Sequence, residues 1–540
     1  MNPLAAARYA LRGRVVTMDK ANTVLPNGTI YVDSGGIVAV QPTGTPAPAA
    51  FNNVQPVDTQ GTIYPGLIEL HNHLSYNALP LWSVPRPFNN RDQWTAIQEY
   101  HQLVTGPMNV LGKTPGYVEA IVRYVECRCL LGGVTTSQGI ALTSNEGIVR
   151  HYRGLVRNVE SPGDPRLPKA ATHILDVEAK DAGKFLARLN SSSCLLLHLS
   201  EGTNPAAHQH FQALHLANGT WAIAKSLAGI HCVALTAPDF QAMQTHGASM
   251  VWSPLSNLLL YGNTADIQAA KASGILMGIG SDWSPSGSKN LLGELKVARL
   301  VSQRFAKPQP VFSDLELVAM ATRNGAQILT WDQALGSIEA GKLADLLVID
   351  GSRGDPYAHL LEASEAAITL VIVEGVPRFG AKILMQDIAP NAESWTVGGL
   401  HRLLNLAQSA ADPAVGGLTL QQARDTLKQG LQNLPGLQMP PAGSTLRVAP
   451  HLRTGPTRWS LVLDHLESGH IAHRPHLPFN GMLTAMPAPK PLATLAAPLP
   501  LVAEALDELT VADDKNGFLG RLANEINLPA YIKAGLPQLY

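Results

Sequence analysis

Short apolar runs divide residues 1–380 into segments of strand length, and the distance between successive runs changes along the chain. Near the N-terminus the runs GRVVTM, TIYV and GIVAV alternate with glycine, proline and asparagine turn signals, which predicts strands of a small antiparallel sheet. The same alternation returns at residues 335–380. Between these stretches, apolar runs alternate with helix-length segments, which is typical of βα units. The pattern therefore predicts a central α/β domain with strands on both flanks.

Eight segments of the central region have the length and composition of buried strands. In chain order they are GTIYPGLIELHNHL (residues 61–74), GGVTTSQG (132–139), GLVRNV (154–159), THILDV (172–177), CLLLHL (194–199), GIHCVAL (229–235), ASMVWS (248–253) and ILMGIGSD (275–282). Eight parallel strands are the number that a closed (β/α)₈ barrel requires. Catalytic groups in such barrels lie at the C-terminal ends of the strands, so polar residues at those ends are the candidates for function.

The first of these segments ends in two histidines, His71 and His73. Side chains two residues apart on a strand point to the same side, so both imidazoles can converge on one point. Neutral imidazole is the commonest metal ligand among side chains, and the pair has the arrangement of a chelate. Taken alone, two histidines at a strand end without a metal are an equally good interpretation. A metal site is favoured over an unliganded pair only if other strands also end in residues that can bind a metal.

Further polar residues follow at the ends of later strands. His198 ends the fifth strand, and Glu201 follows three residues later in the loop. His231 lies on the sixth strand, and Asp282 closes the eighth. Taken singly, a histidine on an apolar strand is more often a core residue, and an aspartate after a serine is a common helix N-cap. Their joint occurrence at strand ends favours one shared site.

Three strings resemble segments of a known family. PGLIELHNH resembles the PGLIDxHxH signature that the amidohydrolase superfamily carries on its first barrel strand. LGSIEAGKLADLLVID (residues 335–350) is similar to the LGSIEPGKxADLVVLD segment of the same family. VWSPLSNLLLYG (residues 251–262) resembles the CPxSNxxL segment of the branch that holds cytosine deaminase, guanine deaminase and the triazine hydrolases. The resemblance covers roughly residues 12–380.

The resemblance implies an α/β fold, with a (β/α)₈ TIM barrel beside one β-sandwich that both flanks build together. The predicted domains are a first part of the β-sandwich at residues 1–62, a metal-dependent barrel at 63–334, a second part of the sandwich at 335–380 and a C-terminal extension at 381–540. The extension has segments with helical spacing of apolar residues and a proline-rich stretch at 434–500. We expect it to be mostly helical and to pack on the barrel or on a neighbouring subunit of a homo-oligomer.

The resemblance also implies a role for each candidate residue. The implied metal ligands are three histidines and one aspartate, namely His71, His73, His198 and Asp282. The aspartate also accepts the proton of the attacking water, and Glu201 carries a proton to the leaving nitrogen. His231 binds the metal weakly or stabilises the tetrahedral oxyanion. Three imidazoles and one carboxylate suit Zn²⁺, or Fe²⁺, with a position left for water.

Two further motifs bear on the number of metal ions. Some family members hold two metals bridged by a carboxylated lysine at the end of the fourth strand. Lys180 lies several residues beyond the apparent fourth strand, which favours one metal ion per chain. His208 and His210 form a second HxH motif, but their segment has a helical pattern, in which residues two apart do not face each other. We therefore do not expect this second pair to bind metal.

Other residues near the candidate site have two interpretations each. Arg86 and Arg91, in the loop after the first strand, can anchor a substrate carboxylate, but surface positions are the expectation. Trp252, Tyr261 and Trp283 lie beside site residues in the sequence. These aromatic residues either wall a pocket or pack the barrel.

Composition bears on the partner and the compartment. A formal net charge of −1 gives no electrostatic basis for binding nucleic acid or an anionic membrane. No window has the roughly 18 apolar residues of a membrane span, and the N-terminal segment lacks the apolar core of a signal peptide. The four cysteines form no CxxC pair, so neither a disulfide framework nor a zinc ribbon is expected. We predict a cytoplasmic protein with a small-molecule substrate.

These observations predict a metal-dependent hydrolase that acts on a non-peptide carbon–nitrogen bond of a small molecule. Two reactions stay open: deamination of a cyclic amidine such as a nucleobase or pterin, and cleavage of an amide, urea or carbamate. The spacing of His198 and Glu201 favours the deaminase branch. A non-enzymatic scaffold is a further alternative, but such relatives usually lose ligands and the set here is complete. Loops decide the substrate of a barrel, and the loops here match no motif that names one.

Overall fold

A computed structural model describes residues 2–305, 308–408, 412, 414–438, 457–463 and 500–540. The strands of these described residues are numbered in chain order: β1 (Arg8–Val16), β2 (Val24–Asp33), β3 (Gly36–Pro42), β4 (Val57–Pro65), β5 (Leu67–Glu69), β6 (Val134–Ser137), β7 (Ala141–Ser144), β8 (Val149–His151), β9 (Arg157–Asn158), β10 (Ala170–His173), β11 (Cys194–Leu199), β12 (Leu227–His231), β13 (Ser249–Trp252), β14 (Leu276–Ile279), β15 (Leu346–Asp350), β16 (Ile368–Val373), β17 (Val376–Ala381), β18 (Glu393–Val397), β19 (Leu400–Leu404) and β20 (Trp459–Leu461).

The α-helices of the same residues are numbered likewise: α1 (Arg91–Thr95), α2 (Gln98–Tyr100), α3 (Gly106–Leu111), α4 (Tyr117–Leu131), α5 (Ala182–Asn190), α6 (Pro205–Gln212), α7 (Ala237–Thr245), α8 (Pro254–Tyr261), α9 (Ile267–Ser273), α10 (Leu291–Phe305), α11 (Asp314–Met320), α12 (Arg323–Ile328), α13 (Pro356–Glu362), α14 (Lys382–Met385), α15 (Leu420–Gln432), α16 (Leu434–Gln438), α17 (Val511–Asn524) and α18 (Ala530–Gly535).

Parallel strands form the barrel, in two hydrogen-bonded sheets with the orders β5-β6-β9 and β10-β11-β12-β13-β14. Backbone hydrogen bonds at two junctions close the ring between the two sheets. The N–H of Ala170 donates to the carbonyl of Val159 (2.9 Å), and the N–H of Leu70 donates to that of Ile279 (3.3 Å). Every residue of β11 and β12 is buried, because the interior of such a barrel is a packed core. The predicted (β/α)₈ barrel is confirmed.

The fourth barrel strand differs from its prediction. The string THILDV predicts a strand over residues 172–177, whereas β10 spans Ala170–His173 and pairs in parallel with β11. Ile174 and Leu175 have left the sheet and line a cavity at the mouth of the barrel. Their apolar side chains therefore continue a strand-like pattern beyond the end of the strand.

The two flanks of the barrel build one nine-stranded sheet, in the order β18-β19-β17-β16-β15-β4-β1-β2-β3. The flanks join where β4 and β15 pair antiparallel, with Tyr64 opposite Leu347. Alternate apolar residues of this sheet, such as Leu11, Val348 and Leu370, form their own buried cluster. The composite β-sandwich domain is thus present, and its sheet continues through β18 and β19 past the predicted boundary at residue 380.

The C-terminal segment, residues 500–540, packs against the barrel through a buried ion-pair cluster. Asp507 is 2% exposed and accepts hydrogen bonds from Arg128 Nη1 (2.8 Å) and Lys289 Nζ (2.5 Å). Its backbone N–H donates to the carbonyl of Ala78, in the loop after β5 (3.0 Å). Most of the predicted proline-rich stretch, residues 439–456 and 464–499, lies outside the described residues. No helix in the described part of the chain has the length and apolarity needed to cross a bilayer.

Candidate metal centre

The residues that follow β5 and β14 meet at one edge of the barrel mouth. The N–H of Asp282 donates to the carbonyl of His71 (3.0 Å), and the N–H of His73 donates to the carbonyl of Asp282 (2.8 Å). This backbone pairing continues the contact between the first and last barrel strands beyond their ends. It fixes the two histidines and the aspartate on the same side of the mouth.

Side chains from three strand ends meet there, and three of the distances between their donor atoms are nearly equal. Oδ1 of Asp282 lies 3.3 Å from Nε2 of His71 and 3.4 Å from Nε2 of His73. Nε2 of His198, at the end of β11, lies 3.3 Å from Nε2 of His73. A tetrahedral zinc ion with ligand bonds of about 2.0 to 2.1 Å separates its ligand atoms by about 3.3 to 3.4 Å. These three distances therefore match those in a zinc site, and His71 belongs both to a close group with His73 and His198 and to one with Asp282 and His231.

Burial and charge give these donors the protonation states that metal binding requires. Burial lowers the pKa of His198 well below its ordinary value, and the neighbouring histidines lower it further. Burial opposes ionisation of Asp282, but electrostatic attraction to the surrounding histidines, chiefly His71, outweighs it and lowers the pKa of Asp282. His198 is thus neutral and Asp282 is ionised, as metal binding requires. In addition, Nε2 of His71 is buried and makes no hydrogen bond within the described structure, as expected of an atom reserved for a metal.

The backbone is strained at several of these strand ends. Ser200, His231, Cys232 and Asp282 all have positive φ, between 51° and 67°. Such angles are uncommon for residues other than glycine and cost of order 1 to 3 kcal/mol each in the least populated regions. Strain of this kind clusters at active sites, where it aims side chains that a regular strand does not present.

Glu201 lies beside the four donors and is held by two aromatic side chains. It sits in the loop between β11 and α6, and it is 6% exposed. The hydroxyl of Tyr261 donates to Glu201 Oε1 (2.7 Å), and Nε1 of Trp94 donates to that hydroxyl (2.9 Å). Burial and the neighbouring carboxylate raise the pKa of Tyr261 well above its ordinary value, so the phenol keeps its proton. Glu201 is therefore an oriented hydrogen-bond acceptor at the edge of the cluster.

His231 occupies the last position of β12, on the other side of Glu201. Its Nε2 lies 3.8 Å from Glu201 Oε2, and its ring centre lies 5.0 Å from that of His71. Nδ2 of Asn257 lies 3.4 Å from Nδ1 of His231, an arrangement in which the amide donates. Burial lowers the pKa of His231, although Glu201 opposes this effect. Donation by the Asn257 amide leaves the proton of a neutral His231 ring on Nε2, whereas the reversed amide leaves a lone pair there, and His231 also lies close enough to His71 and Asp282 to hold a metal with them.

These groups line a cavity of about 310 Å³ at the mouth of the barrel. Four aromatic side chains contribute to its walls, alongside polar and charged residues such as Arg91, and they are Tyr76, Trp94, Tyr100 and Trp283. The Trp283 ring centre lies 5.4 Å from that of His73, so the aromatic wall reaches the metal cluster. A cavity of this size is at the lower end of the range for small-molecule sites and favours a compact, flat ligand.

The structure places the other sequence candidates as follows. Arg91 is not a plain surface residue: it lines the cavity, donates to the carbonyl of Ile174 and has a side chain that is 13% exposed. Its burial follows from the loop after β5, which folds back over the mouth. Arg86 instead lies over the ring of Phe88, with 4.8 Å from Cζ to the ring centre. Trp252 is fully buried in the barrel core and does not line the cavity.

The remaining sequence candidates lie away from the cluster. Lys180 occupies a 3₁₀ turn, is 73% exposed and forms an ion pair with Glu178 (2.5 Å). His208, on helix α6, pairs with Asp239 (2.8 Å). Neither belongs to the groups of histidine and acidic side chains in the described residues that converge closely enough to hold a metal. Sequence reasoning missed Gln138, which lies against His71, because nothing distinguishes it from other polar residues that follow a strand.

Comparisons with known proteins agree with this geometry. The model of the amidohydrolase family matches residues 62–378, more than half of the chain, so the chain belongs to the amidohydrolase family. It is accordingly a metal-dependent hydrolase that acts on non-peptide carbon–nitrogen bonds of small molecules. It is 25% identical to a 5-methylthioadenosine/S-adenosylhomocysteine deaminase of Desulforudis audaxviator over 400 residues, which are 67% of this chain and 91% of the relative.

Two solved structures show the same fold. Guanine deaminase from Bradyrhizobium japonicum has a TM-score of 0.52 at 17% identity, over 69% of this chain and 99% of that one. Atrazine chlorohydrolase from Arthrobacter aurescens, complexed with zinc, has a TM-score of 0.51 at 21% identity, over 68% of this chain and 94% of that one. About a third of the present chain therefore has no counterpart in either structure.

Proposed function

We propose that the chain is a zinc-dependent aminohydrolase that replaces the exocyclic amino group of a flat, amidine-containing heterocycle with oxygen and releases ammonia. The observation that carries this proposal is the position of Glu201. Its carboxylate is fixed by Tyr261 at the edge of the donor cluster and faces the aromatic cavity. A carboxylate that contacts both the attacking water and the leaving nitrogen is what hydrolytic deamination requires.

The proposed ligands are the four residues with convergent donor atoms, namely His71, His73, His198 and Asp282. Bound zinc supplies Lewis acidity, which makes a hydroxide nucleophile available near neutral pH. Fe²⁺ suits the same donors and is the alternative metal. The exposed position of Lys180 supports a single metal ion per chain, because a bridging lysine has to reach the cluster.

The protein groups divide the proton transfers between them. Asp282 takes the first proton from the attacking water, since its lowered pKa keeps it ionised and it faces the cluster. Glu201 carries a proton to the leaving nitrogen, so that nitrogen departs as ammonia and the ring keeps a carbonyl. His231 donates from Nε2 to the oxyanion that forms at the attacked carbon. In this assignment His231 is not a metal ligand.

Shape supports a planar ring as the substrate. The ring centre of Trp283 lies 6.1 Å from that of Trp94 and 6.2 Å from that of Tyr100. The three rings form one side of the cavity. Aromatic side chains of this kind stack on flat heterocycles. The relative from Desulforudis audaxviator is a deaminase, which agrees with the proposed reaction. Hydrolysis of an amide, urea or carbamate is the second candidate, because it uses the same water and the same proton carriers.

The test is an assay of zinc-loaded protein for ammonia against a panel of aminopurines, aminopyrimidines, aminopterins, amino-triazines and their nucleosides. A parallel panel of amides, ureas and carbamates is assayed for amine release, with Glu201→Gln as the control for adventitious activity. We expect ammonia from at least one heterocycle and release at least about 100-fold slower with the control. Turnover confined to the second panel would replace deamination by amide or carbamate hydrolysis. Turnover of neither panel by zinc-replete protein would contradict the proposal.

A further inference from the structure

We propose that Gln138, Thr172 and Glu160 are positioning residues that hold the ligand His71 in its metal-binding tautomer and orientation. This inference rests on the metal centre of the proposed function. The three side chains come from the ends of three different barrel strands, β6, β10 and β9, and they form one hydrogen-bonded chain that ends on His71. None of them contacts the substrate cavity described above.

The orientation of the Gln138 amide is fixed by a backbone group. Its Oε1 accepts the N–H of Asn72 at 2.8 Å, and a backbone N–H can only donate. The same oxygen lies 3.1 Å from Nδ1 of His71. Because an amide oxygen carries no hydrogen, Nδ1 has to be the donor in this contact. With the proton on Nδ1, the lone pair that a metal needs lies on Nε2, which is the atom that faces Asp282.

The opposite end of the amide is fixed as well. Nε2 of Gln138 donates to the hydroxyl oxygen of Thr172 (3.0 Å), and that hydroxyl donates to Oε1 of Glu160 (2.7 Å). The second oxygen of Glu160 accepts the N–H of Gly139, the residue after Gln138 (3.0 Å). Every bond in the chain has one donor and one acceptor in a consistent direction. Reversing the amide would therefore break the bonds at both of its ends.

The hydrogen-bonded chain of these side chains also crosses the junction between the two sheets of the barrel, where few backbone hydrogen bonds join the strands. Strands β9 and β10 belong to separate sheets, and the hydrogen bond from Ala170 to Val159 joins their backbones. Glu160 follows β9 and Thr172 lies on β10, so their side-chain bond spans the same junction. Gln138 is 3% exposed and Glu160 is 9% exposed, whereas Thr172 is half-buried, and all three line a second cavity of about 400 Å³ beside His73. The chain thus connects the placement of His71 to the closure of the barrel.

Partners of this kind matter for metal binding, because a ligating histidine whose other ring nitrogen is not held can rotate or adopt the wrong tautomer. Loss of such a partner typically weakens metal binding by about 10-fold to 100-fold. We therefore expect that removing these partners lowers the zinc affinity of the full-length protein, whether or not a substrate is present. Activity of the loaded enzyme is not needed for the test.

The experiment measures the zinc dissociation constant of metal-free, full-length protein by competition with a chromophoric chelator. Gln138→Met keeps the length of the side chain but removes the amide, and we expect zinc binding about 10-fold to 100-fold weaker. Thr172→Val removes the hydroxyl at constant shape and is expected to weaken zinc binding, while Thr172→Ser restores it. Thr135→Val is the matched control, because Thr135 lies on β6 and its buried hydroxyl has no hydrogen-bond partner within the described structure.

The outcomes separate this inference from the proposed function. Wild-type protein that binds no zinc would overturn the metal centre itself. Wild-type protein that binds zinc, together with Gln138→Met and Thr172→Val variants of equal affinity, would overturn the positioning chain alone. Two further results would also overturn it, because either would attribute the loss of zinc affinity to general packing. One is a Thr172→Ser variant that binds zinc as weakly as Thr172→Val. The other is a Thr135→Val variant that loses as much zinc affinity as Thr172→Val.

Discussion

Glu201→Gln is the substitution that separates proton transfer from metal binding. The amide keeps the size of the side chain and can still contact Tyr261, but it cannot take up and release protons at neutral pH. A side chain that carries a proton in the transition state contributes about 10² to 10⁴ in rate. We expect kcat to fall by that range. Because the three histidines and Asp282 converge without Glu201, zinc content should stay at the wild-type value.

The structure also predicts a smaller effect one step further along the hydrogen-bonded chain. Tyr261→Phe removes the 2.7 Å hydrogen bond to Glu201 but keeps the buried ring. Hydrogen bonds to charged groups contribute about 1.5 to 3 kcal/mol, which corresponds to about 10-fold to 100-fold in rate if the bond is needed in the transition state. Tyr261→Phe should therefore lie between wild type and Glu201→Gln in kcat.

The assay is steady-state ammonia release on the substrate that the panel identifies, with elemental analysis of each purified variant. A Glu201→Gln protein that loses its zinc would show that Glu201 is a ligand. A Glu201→Gln protein with wild-type kcat would show that it carries no proton. A Tyr261→Phe protein more impaired than Glu201→Gln would contradict the order of effects along the chain.

Three further predictions concern other parts of the molecule. Asp507→Asn leaves the buried Arg128 without its counter-charge and should lower the free energy of unfolding, measured by denaturant titration, by about 3 to 5 kcal/mol. Asp164→Asn, at a more exposed ion pair, should lower it by less than about 1 kcal/mol. Equal losses in the two variants would refute the stabilising role of the buried ion-pair cluster. Burial raises the pKa of Glu294 to about 8 from 4.5. The wild type should therefore lose stability relative to Glu294→Gln as the pH rises from 4.5 to about 8, with no further relative change above that pH. Thermal midpoints of the two proteins that change in parallel with pH would refute this prediction. His231→Ala should lower kcat by about 10² to 10³ with zinc retained, and loss of zinc would make His231 a ligand instead.

The residues of the candidate site were predictable from sequence because each one lies at the end of a barrel strand or within a few residues after it. A short apolar run followed by a histidine or an aspartate is a local signal, and the barrel fold brings all such strand ends to one face. His71, His198 and Asp282 therefore meet although they are far apart in the chain. The resemblance to the amidohydrolase superfamily supplied the order of these residues and the expected chemistry.

The partners of these residues were not predictable, because their contacts depend on the paths of loops that no periodicity encodes. Trp94 and Tyr261 are 167 positions apart, and Arg128 and Asp507 are 379 apart. Arg91 was expected at the surface because arginine usually lies there, but the loop after β5 folds over the mouth and buries it. The fourth strand was predicted too far along the chain, because the apolar side chains of Ile174 and Leu175 line the cavity and do not belong to the sheet.

The most direct test of the central claim is the metal content of purified protein, measured by elemental analysis in the wild type and in a His71→Ala, His73→Ala double variant. The account predicts about one zinc ion per wild-type chain and almost none in the double variant, which should stay folded by circular dichroism and lose ammonia release. Metal-free wild-type protein with full activity would contradict the account. So would a double variant that keeps its zinc.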